Sequence, residues 1–596
     1  MLEMSPSKQA AAWLGSFSQA LEFGDVSAAA NLFVDDCYWR DLLTFTWNVT
    51  TMEGRDAIAD MLKSTLATTR PAAWQLSGEA TSDEGTIEAW FTFETSVATG
   101  QGIMRLCDGR CRTLFTAMTD LKGFEERKGA ARPLGVRHKA DPERETWSEA
   151  RARETRELGA SEQPYCLVIG GGQGGIMLGA RLRQLGVPTI VIEKNERPGD
   201  SWRNRYRTLV LHDPVWYDHL PYIPFPDNWP VFTPKDKMGD WLEMYTRVME
   251  LNYWAATKCL SASYDEGEKV WTVVVDRAGQ RITLKPKHIV FATGAYGPPR
   301  KIELPGADQF KGELLHSSQY ASGEKFRGKK VAVIGAASSG HDVCVDLWES
   351  GADVTMVQRS PTTVVKSDTL MQVGFEIFSE DALARGITTE KADMIVASTP
   401  FALVPKGQRA LYDVIRARDA AFYERLAASG FALDFGDDET GLLMKAYRTG
   451  SGYYIDVGAS DLIIDGKIGI RSGVAVKSLT AKGILFEDGG EIEADAIIAC
   501  TGYQSMNENV AALVSREVAD KVGPCWGLGS GVKGDPGPWQ GELRNMWKPT
   551  AQDALWFHGG NLALSRFYSK YVALQIKARM EGIETPVYGA VSNAPR

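Results

Sequence analysis

Residues 166–175 read CLVIGGGQGG, a helical pattern continues to Gly186, and residues 189–193 read TIVIE. An apolar strand, a glycine turn that begins a helix and a second strand that ends in an acid together predict one β-α-β unit. In such a unit the first glycine makes a tight turn, the second gives a pyrophosphate room to approach, and the third lets the helix pack on the strand. The stretch therefore predicts a dinucleotide site with its phosphates at the helix N-terminus.

The acid at the end of this unit supports the same reading. Glu193 follows about 20 residues after Gly170, which is the spacing expected for the acid that binds a ribose hydroxyl. The residues predicted to contact the dinucleotide at this first site are Gly170, Gly172, Gln173, Gly174, Gly175, Glu193 and Lys194.

The chain repeats this pattern once. Residues 331–340 read VAVIGAASSG, and the strand at residues 353–357 is followed by Gln358 and Arg359. An acid at this position would repel a 2′-phosphate and an arginine would bind it, so the second site is predicted to prefer NADP. Ala337 replaces the second glycine, and its methyl group slightly obstructs the pyrophosphate. The predicted contacts here are Gly335, Ala337, Ser338, Ser339, Gly340 and Arg359.

Composition limits the classes of protein that remain. The chain has 596 residues, of which 44% are hydrophobic, and at about 100–200 residues per domain this predicts about three domains. A formal net charge of −10 argues against nucleic acid or an anionic membrane as a partner. The eight cysteines contain no CxxC, and no histidine pair has zinc-ligand spacing, so we predict no metal site and a cytoplasmic location. No apolar run approaches the length of a membrane span.

Residues 1–129 predict a separate small α+β domain. Helical patterns come first, and four strand-like runs follow at residues 74–80, 86–97, 102–107 and 111–120. This order resembles the cone-shaped fold of the nuclear transport factor, ketosteroid isomerase and SnoaL-like cyclase group. Such a cone can hold a ligand, with Tyr38, Trp39 and Asp41 as polar candidates. The alternative, a docking or homodimerisation module, is favoured because no base is paired with an oxyanion donor.

A family resemblance follows from residues 310–320, which read FKGELLHSSQY. This matches the FxGxxxHxxxY fingerprint of the flavin-containing monooxygenases, including the plant YUCCA-type enzymes. Gly199-Asp200-Ser201-Trp202 resembles the Gly-x-x-Trp turn that contacts the flavin in this family, and Thr501-Gly502-Tyr503 resembles its C-terminal Thr-Gly-Tyr. The resemblance implies FAD at the first site and NADPH at the second. It adds Ser201, Trp202, His212, Thr293, Thr501 and Gly502 to the predicted cofactor contacts.

The predicted fold class is α/β, with two Rossmann-like dinucleotide-binding domains preceded by the small α+β cone. The predicted boundaries are 1–129 for the SnoaL-like domain, 130–163 for a linker, 164–325 for the first part of the FAD domain, 326–490 for the NADPH domain, and 491–596 for the return to the FAD domain. Within the NADPH domain, residues 362–456 are read as a helical insertion that shapes a substrate tunnel. Residues 143–158 predict a charged helix in the linker.

Two positions place the chain within the family. Tyr320 stands where typical Baeyer–Villiger enzymes carry Trp, and His212 stands where animal enzymes have Asn and YUCCA-type sequences have His. This favours the YUCCA-like branch of the class B flavoprotein monooxygenases. His212 and Asp213 are the catalytic candidates, through hydrogen bonds to the flavin adduct or to nicotinamide; the alternative for His212 is a cap on the turn before Pro214. His316 is interpreted as a structural link between the two dinucleotide domains.

The predicted reaction uses both cofactors. NADPH reduces the flavin, reduced flavin and O2 form a C4a-hydroperoxide, and one oxygen atom enters a small organic substrate by N- or S-oxygenation or by oxidation of a carbonyl compound. Because the cofactor carries the reactive oxygen, the chain needs no nucleophile or metal. The alternatives are an NADPH oxidase that produces hydrogen peroxide, a non-catalytic flavin scaffold, and a flavin-dependent disulfide or pyridine-nucleotide reductase. The absence of CxxC counts against a disulfide reductase.

Overall fold

Two five-stranded parallel sheets each contain one of the two β-α-β units, and a separate seven-stranded sheet precedes them. The computed structural model describes residues 5–136, 138, 140–294 and 296–589. Among these residues, no helix is both long enough and apolar enough to cross a membrane.

The N-terminal part of the chain, residues 6–121, is called the first unit below, and its helices pack against one mixed sheet. Its elements are α1 (Pro6–Glu22), α2 (Val26–Asn31), β1 (Phe33–Leu42), β2 (Val49–Glu53), α3 (Gly54–Thr69), β3 (Ala72–Leu76), β4 (Thr81–Asp83), β5 (Thr86–Glu94), β6 (Ala98–Cys107) and β7 (Arg110–Leu121). The strand order is β2-β1-β7-β6-β5-β3, with β4 paired to β5, and β1 runs parallel to β7. The four predicted strand runs correspond to β3, β5, β6 and β7, whereas β1, β2 and β4 were not predicted as strands.

Aromatic side chains fill the interior of this unit. Trp13 stacks on Phe17 with ring centroids 4.8 Å apart, and Trp74 stacks on Phe93 at 4.5 Å. Trp39 is fully buried among them, and its indole N–H donates to Thr116. The interior is therefore a packed core at the place where a ligand would have to lie.

Asp41 is fully buried, and its hydrogen bonds are all used within this core. Its carboxylate accepts hydrogen bonds from the Thr44 and Thr116 hydroxyls and from the Thr46 hydroxyl and backbone N–H, at 2.5 to 3.0 Å. Tyr38 is on the opposite face of β1 from Trp39, because side chains alternate along a strand, and it donates to Asp36. The structure therefore does not bring Tyr38, Trp39 and Asp41 together as a ligand site.

The linker forms one helix, α4 (Trp147–Glu157), within the predicted residues 143–158. Thr146 and Glu149 close a capping box at its N-terminus. Glu154 binds Arg183 and the amide of Asn252, which joins the linker to the first parallel sheet.

The first parallel sheet has the order β10-β9-β8-β14-β25. Its part of the chain contains β8 (Cys166–Ile169), α5 (Gln173–Gln184), β9 (Thr189–Ile192), α6 (Asp200–Arg203), α7 (Lys235–Val248), β10 (Tyr253–Trp254), β11 (Thr257–Asp265), β12 (Val270–Arg277), β13 (Gln280–Leu284) and β14 (His288–Phe291). The strands β11 to β13 form a separate antiparallel sheet, in which β12 and β13 form a hairpin.

The second parallel sheet has the order β15-β24-β16-β17-β20. The corresponding part of the chain contains β15 (Glu313–His316), β16 (Lys330–Ile334), α8 (Ser338–Glu349), β17 (Asp353–Gln358), β18 (Thr363–Lys366), α9 (Ser367–Val373), α10 (Glu380–Ala384), α11 (Thr389–Ala397), α12 (Val404–Arg418), α13 (Ala420–Ala428), α14 (Gly441–Thr449), β19 (Tyr453–Asp456), α15 (Ala459–Ile464), β20 (Gly469–Ser472), β21 (Val476–Thr480), β22 (Gly483–Phe486), β23 (Glu491–Glu493) and β24 (Ala496–Ala499). The predicted helical segment 362–456 consists of the six helices α9 to α14 between the paired strands β18 and β19.

The chain then returns to the first sheet through α16 (Asn507–Leu513), α17 (Arg516–Val522), β25 (Leu555–Phe557) and α18 (Leu562–Met580). β25 pairs with β14, as a return to the FAD domain requires. Two predicted boundaries need correction. β15 and β24 belong to the second sheet, although 164–325 and 491–596 would have assigned both to the FAD domain, because each pairs in parallel within that sheet.

Candidate dinucleotide and active site

The two glycine turns have the same geometry. The φ angle is 111° at Gly170 and 116° at Gly335, a conformation that favours glycine. A Cβ atom on Gly175 would lie 1.9 Å from the carbonyl oxygen of Gly170, and one on Gly340 would lie 1.9 Å from that of Gly335. The first and third glycines are therefore required by the backbone itself in both units.

The middle position of the turn tolerates a side chain as far as the protein is concerned. Gly172 has φ −72° and ψ −170°, and Ala337 has φ −92° and ψ −174°. A Cβ on Gly172 would have Ser201 Oγ as its nearest protein atom, at 3.5 Å. The Ala337 methyl group therefore strains nothing in the protein, and any obstruction concerns the ligand alone.

Both turns fit a pyrophosphate. The helices α5 and α8, which contain Gly174 and Ser339 in their first turns, begin without a side-chain cap, so N–H groups at each N-terminus remain for an anion. Within the described chain, the hydroxyl oxygen of Ser201 is buried beside the first turn and has no hydrogen-bond partner. A bound phosphate would supply an acceptor there.

Glu193 lies at the end of β9 and is held against the first turn. Its carboxylate accepts the backbone N–H groups of Gly171 at 2.8 Å and Asn195 at 3.0 Å, and Tyr253 donates to the Gly171 carbonyl at 2.9 Å. Each carboxylate oxygen keeps capacity for a further donor, which fits a ribose hydroxyl. Lys194 follows it and is exposed.

The corresponding end of β17 carries no acid. The amide of Gln358 is fully buried and is used by the protein: it donates to the Ala432 carbonyl and accepts the Ala432 N–H, both at 2.8 Å. Arg359 is exposed, and we find no ion pair or hydrogen bond of its side chain to any residue that the structure describes. A free guanidinium at this point fits the 2′-phosphate of NADP.

The segment after β9 brings a short helix next to the first turn. Trp202 in α6 donates its indole N–H to the side-chain oxygen of Gln173, 3.2 Å away. A Cβ on Gly199 would lie 2.1 Å from the Gly239 carbonyl oxygen, so α7 can approach only a glycine here. The Gly-x-x-Trp turn therefore stands beside the first dinucleotide site.

Thr293 and Thr501 occupy equivalent places in the two units. Thr293 follows β14 and accepts a hydrogen bond from Asn509 at 2.8 Å. Thr501 follows β24, and the next residue, Gly502, accepts hydrogen bonds from His316 and from the Arg300 N–H, both at 3.1 Å. Thr501 and Gly502 thus lie at the second sheet, next to the second glycine turn. In α8, Ser338 donates to the Tyr453 carbonyl at 3.0 Å, which ties the helix to β19.

His212 lies between the two units. Its Nε2 atom is 3.6 Å from an oxygen of Asp342 in α8, and the other oxygen of Asp342 accepts the Tyr206 hydroxyl at 2.6 Å. The Tyr454 ring stands edge-on to His212 at 6.3 Å and stacks on His341 at 3.9 Å. Sequence reasoning did not single out Asp342, although an acid two residues after the second glycine motif could have suggested it.

Asp213 follows His212 in the same loop. Burial raises the pKa of Asp213 to about 6, and the neighbouring His212 opposes this rise. A carboxyl group that titrates near neutral pH can hold or release a proton under ordinary conditions.

The FxGxxxHxxxY motif is structural. Tyr320 donates to Asp346 at 2.6 Å, and Asp346 also accepts the Thr208 hydroxyl at 2.9 Å. His316 bonds to Gly502 and to Ser318, and burial lowers the pKa of His316. The partners of His316 lie in the second dinucleotide unit, so His316 does not link the two dinucleotide units as predicted. Asp346 links them instead, through its hydrogen bond with Thr208.

Comparison with known proteins agrees with this architecture. A family model described as pyridine nucleotide-disulphide oxidoreductase matches residues 167–435, which lie after the first unit. The indole-3-pyruvate monooxygenase YUCCA1 of Oryza sativa subsp. japonica is 31% identical over 364 residues, which cover 60% of this chain and 82% of that relative. The chain belongs to the flavin-containing monooxygenase family.

Further similarities of this flavin-containing monooxygenase are consistent. The probable indole-3-pyruvate monooxygenase YUCCA1 of Arabidopsis thaliana is 30% identical over 345 residues, covering 57% of this chain and 75% of that protein. A crystal structure of cyclohexanone monooxygenase in the loose conformation has a TM-score of 0.50 at 20% identity, covering 70% of this chain and 88% of its own, which shows a similar fold. Membership of the family confirms the predicted cofactors, FAD and NADPH.

Proposed function

We propose that this protein is an FAD-dependent, NADPH-consuming monooxygenase that inserts one oxygen atom of O2 into a small organic substrate. The observation that carries this proposal is the pair of matched glycine turns, one followed by the acid Glu193 and the other by the exposed cation Arg359. When bound, the two cofactors supply hydride transfer and the activation of O2. The chain itself binds and orients the cofactors and the substrate, and it excludes water from the site.

At the first site, the N-terminus of α5 would hold the FAD pyrophosphate and Glu193 the ribose. The unpartnered Ser201 hydroxyl supports a phosphate contact, and Trp202 fixes the turn through Gln173. At the second site, α8 would hold the NADPH pyrophosphate, and Arg359 would bind the 2′-phosphate.

His212 and Asp213 are the proposed catalytic residues. The contact between His212 and Asp342 joins the loop after the first dinucleotide unit to α8 of the second, which supports a location of this loop where the two cofactors would meet. Asp213 would hold or release a proton near pH 6. The alternative role of His212 as a cap before Pro214 has less support, because its nearest charged partner is in the other unit.

The substrate class is proposed from the relatives. The YUCCA relatives are named as acting on indole-3-pyruvate, a 2-oxo acid, so 2-oxo acids come first among candidate substrates and amines, sulfides and ketones follow. The helical segment with α9 to α11 approaches the proposed site: Tyr217 packs against Phe375 and Phe378 at 5.2 and 4.8 Å. This supports the proposed role of the insertion in shaping the substrate tunnel.

The other proposed properties are the role of the first unit, the location of the protein in the cell and its oligomeric state. We propose that residues 1–129 are a SnoaL-like docking module, that the protein works in the cytoplasm, and that a homodimer through the first unit is the assembly to test. The packed core around Trp39 supports docking over ligand binding.

A disulfide reductase would need a redox pair of cysteines. All eight cysteines are free. Near the second turn, burial raises the pKa of Cys500 to about 12 and that of Cys344 well above its ordinary value, so neither is a ready thiolate. The remaining competitors are an NADPH oxidase that releases hydrogen peroxide, a flavin-dependent pyridine-nucleotide reductase and a non-catalytic flavin scaffold.

The test is to measure NADPH consumption, hydrogen peroxide and oxygenated product together. The purified protein is loaded with FAD and given NADPH with 2-oxo acids, amines, sulfides and ketones in turn. We expect at least one substrate class to give product at the expense of peroxide. Peroxide in equal amount to NADPH with every compound would identify an oxidase instead.

A further inference from the structure

The C-terminal end of α11 is held by two arginines of the first unit. Arg40 donates to the Ala397 carbonyl at 2.5 Å. Arg105 donates to the Ser398 hydroxyl at 2.8 Å and to the Ser398 carbonyl at 3.4 Å. The last carbonyls of a helix carry partial negative charge and favour cations. The first unit therefore binds the C-terminal end of α11 through two arginine side chains.

Arg40 is itself anchored to the end of the chain. It forms two hydrogen bonds of 2.7 Å to the carboxylate of Glu542 and one of 2.9 Å to the Tyr568 hydroxyl. Thr51, also in the first unit, donates to Glu542 at 2.7 Å. The side chains of both Arg40 and Glu542 are 2% exposed, so this pair is sealed from water and fixed in geometry.

A second buried pair lies about one turn before the C-terminal end of α11. Asp393 accepts two hydrogen bonds from Arg566 in α18, at 2.7 and 2.9 Å. The remaining guanidinium nitrogen of Arg566 donates to the carbonyls of Tyr217 and His219, at 2.7 and 2.6 Å. At the start of α11, Thr389 donates to the Trp216 carbonyl at 3.0 Å.

These contacts fix the loop that continues from His212 and Asp213. Three carbonyls between Trp216 and His219 are bound by α11 or by Arg566. Between them, Asp218 is fully buried, and its two carboxylate oxygens find no hydrogen-bond partner in the described part of the chain. The loop is therefore held through its backbone, by groups that the insertion and α18 supply.

We propose, taking the identity of the site from the proposed function, that the first unit is an internal brace for the flavin site. Arg40 and Arg105 fix the position of α11. Asp393 of α11 fixes the position of the Arg566 side chain. Arg566 in turn fixes the backbone of the loop that follows His212 and Asp213. Arg566 is a positioning residue in this arrangement, and Arg105 is the accessible point at which the brace can be weakened.

The test uses the full-length protein loaded with FAD and the variant Arg105→Met, because the Arg105 side chain is 21% exposed and its loss leaves the buried Arg40 pair intact. The matched control is Arg112→Met in the same sheet, whose side chain is 38% exposed and pairs with Asp36. Hydrogen–deuterium exchange is followed for residues 389–399 and 214–220. We expect Arg105→Met, and not Arg112→Met, to speed exchange in both segments by about tenfold, the effect of losing one charge-assisted hydrogen bond. Arg105→Lys should restore part of the protection.

A second readout tests the functional consequence. With a substrate that gives product, Arg105→Met should raise the fraction of NADPH that ends as hydrogen peroxide while KM for NADPH stays unchanged, since the second dinucleotide site is untouched. Faster exchange in residues 389–399 without a change in residues 214–220 would overturn the brace, as would unchanged exchange in both. Exchange needs no turnover, so this result stands apart from the outcome of the oxygenation assay.

Discussion

Nε2 of His212 lies 3.6 Å from Oδ1 of Asp342, and this contact joins the loop after the first glycine turn to the helix after the second. The neighbouring oxygen of Asp342 is occupied by the Tyr206 hydroxyl at 2.6 Å. His212, in the loop after the first dinucleotide unit, thus lies beside a carboxylate of the second, and this contact, with those of Tyr206 to Asp342 and Thr208 to Asp346, joins the two dinucleotide units.

Asp342→Asn is expected to slow reduction of the flavin by NADPH by about tenfold, because loss of the charge releases His212 and misplaces the reacting groups. Stopped-flow absorbance of the flavin measures this rate. Tyr206→Phe keeps the carboxylate and serves as the control with a smaller effect. An unchanged reduction rate in Asp342→Asn would show that the pair has no role in positioning.

Arg359→Ala is expected to weaken the binding of NADPH by about tenfold to a hundredfold and to leave that of NADH nearly unaffected, because the proposed role of this guanidinium is to bind the 2′-phosphate, which NADH lacks. KM values for the two nucleotides provide the measurement. Arg359→Lys keeps a positive charge and should lose less. Equal losses for NADPH and NADH would refute the assignment of the 2′-phosphate.

Gly340→Ala is expected to abolish use of NADPH while FAD stays bound, since the new Cβ would meet the Gly335 carbonyl oxygen at 1.9 Å. Gly15→Ala is the matched control, because a Cβ there meets no atom within 4 Å. Flavin absorbance and NADPH-dependent bleaching separate the two sites. Normal bleaching in Gly340→Ala would mean that the second turn is not the NADPH site.

Asp213→Asn is expected to change how stability depends on pH. Burial raises the pKa of Asp213 from 3.8 to about 6, so the folded protein binds more protons than the unfolded chain between these values and loses stability as the pH rises through them. The variant lacks this group. Its Tm relative to the wild-type protein should therefore increase from pH 4 to pH 7, and a constant difference would contradict the raised pKa.

Tyr320→Phe is expected to lower the free energy of unfolding by about 1–3 kcal/mol, because it removes a buried hydrogen bond to the Asp346 carboxylate. Denaturant titration measures the loss. The flavin content should be unchanged, since Tyr320 lies in the second dinucleotide unit, away from the proposed FAD site. A loss of flavin in place of stability would assign the motif to the cofactor.

The glycine turns could be predicted because their requirements are local. The spacing from Gly170 to Glu193 and from Gly335 to Arg359 contains the strand, the turn and the helix, and all were found in place. The strand β1 was missed because aspartates such as Asp41 are depleted in strands, and because the buried Arg40 depends on the carboxylate of Glu542, 502 residues away in sequence. Asp393 and Arg566 are 173 residues apart, so no local pattern could pair them. The boundaries at β15 and β24 were misplaced because sheet membership depends on pairing across the fold.

The pair of Arg40 and Glu542 spans 502 residues of sequence. Domains generally fold as units during synthesis, the N-terminal ones first, and the carboxylate that neutralises the Arg40 guanidinium is made 502 residues after Arg40. Until then an unpaired cation remains on the face that will become a sealed contact.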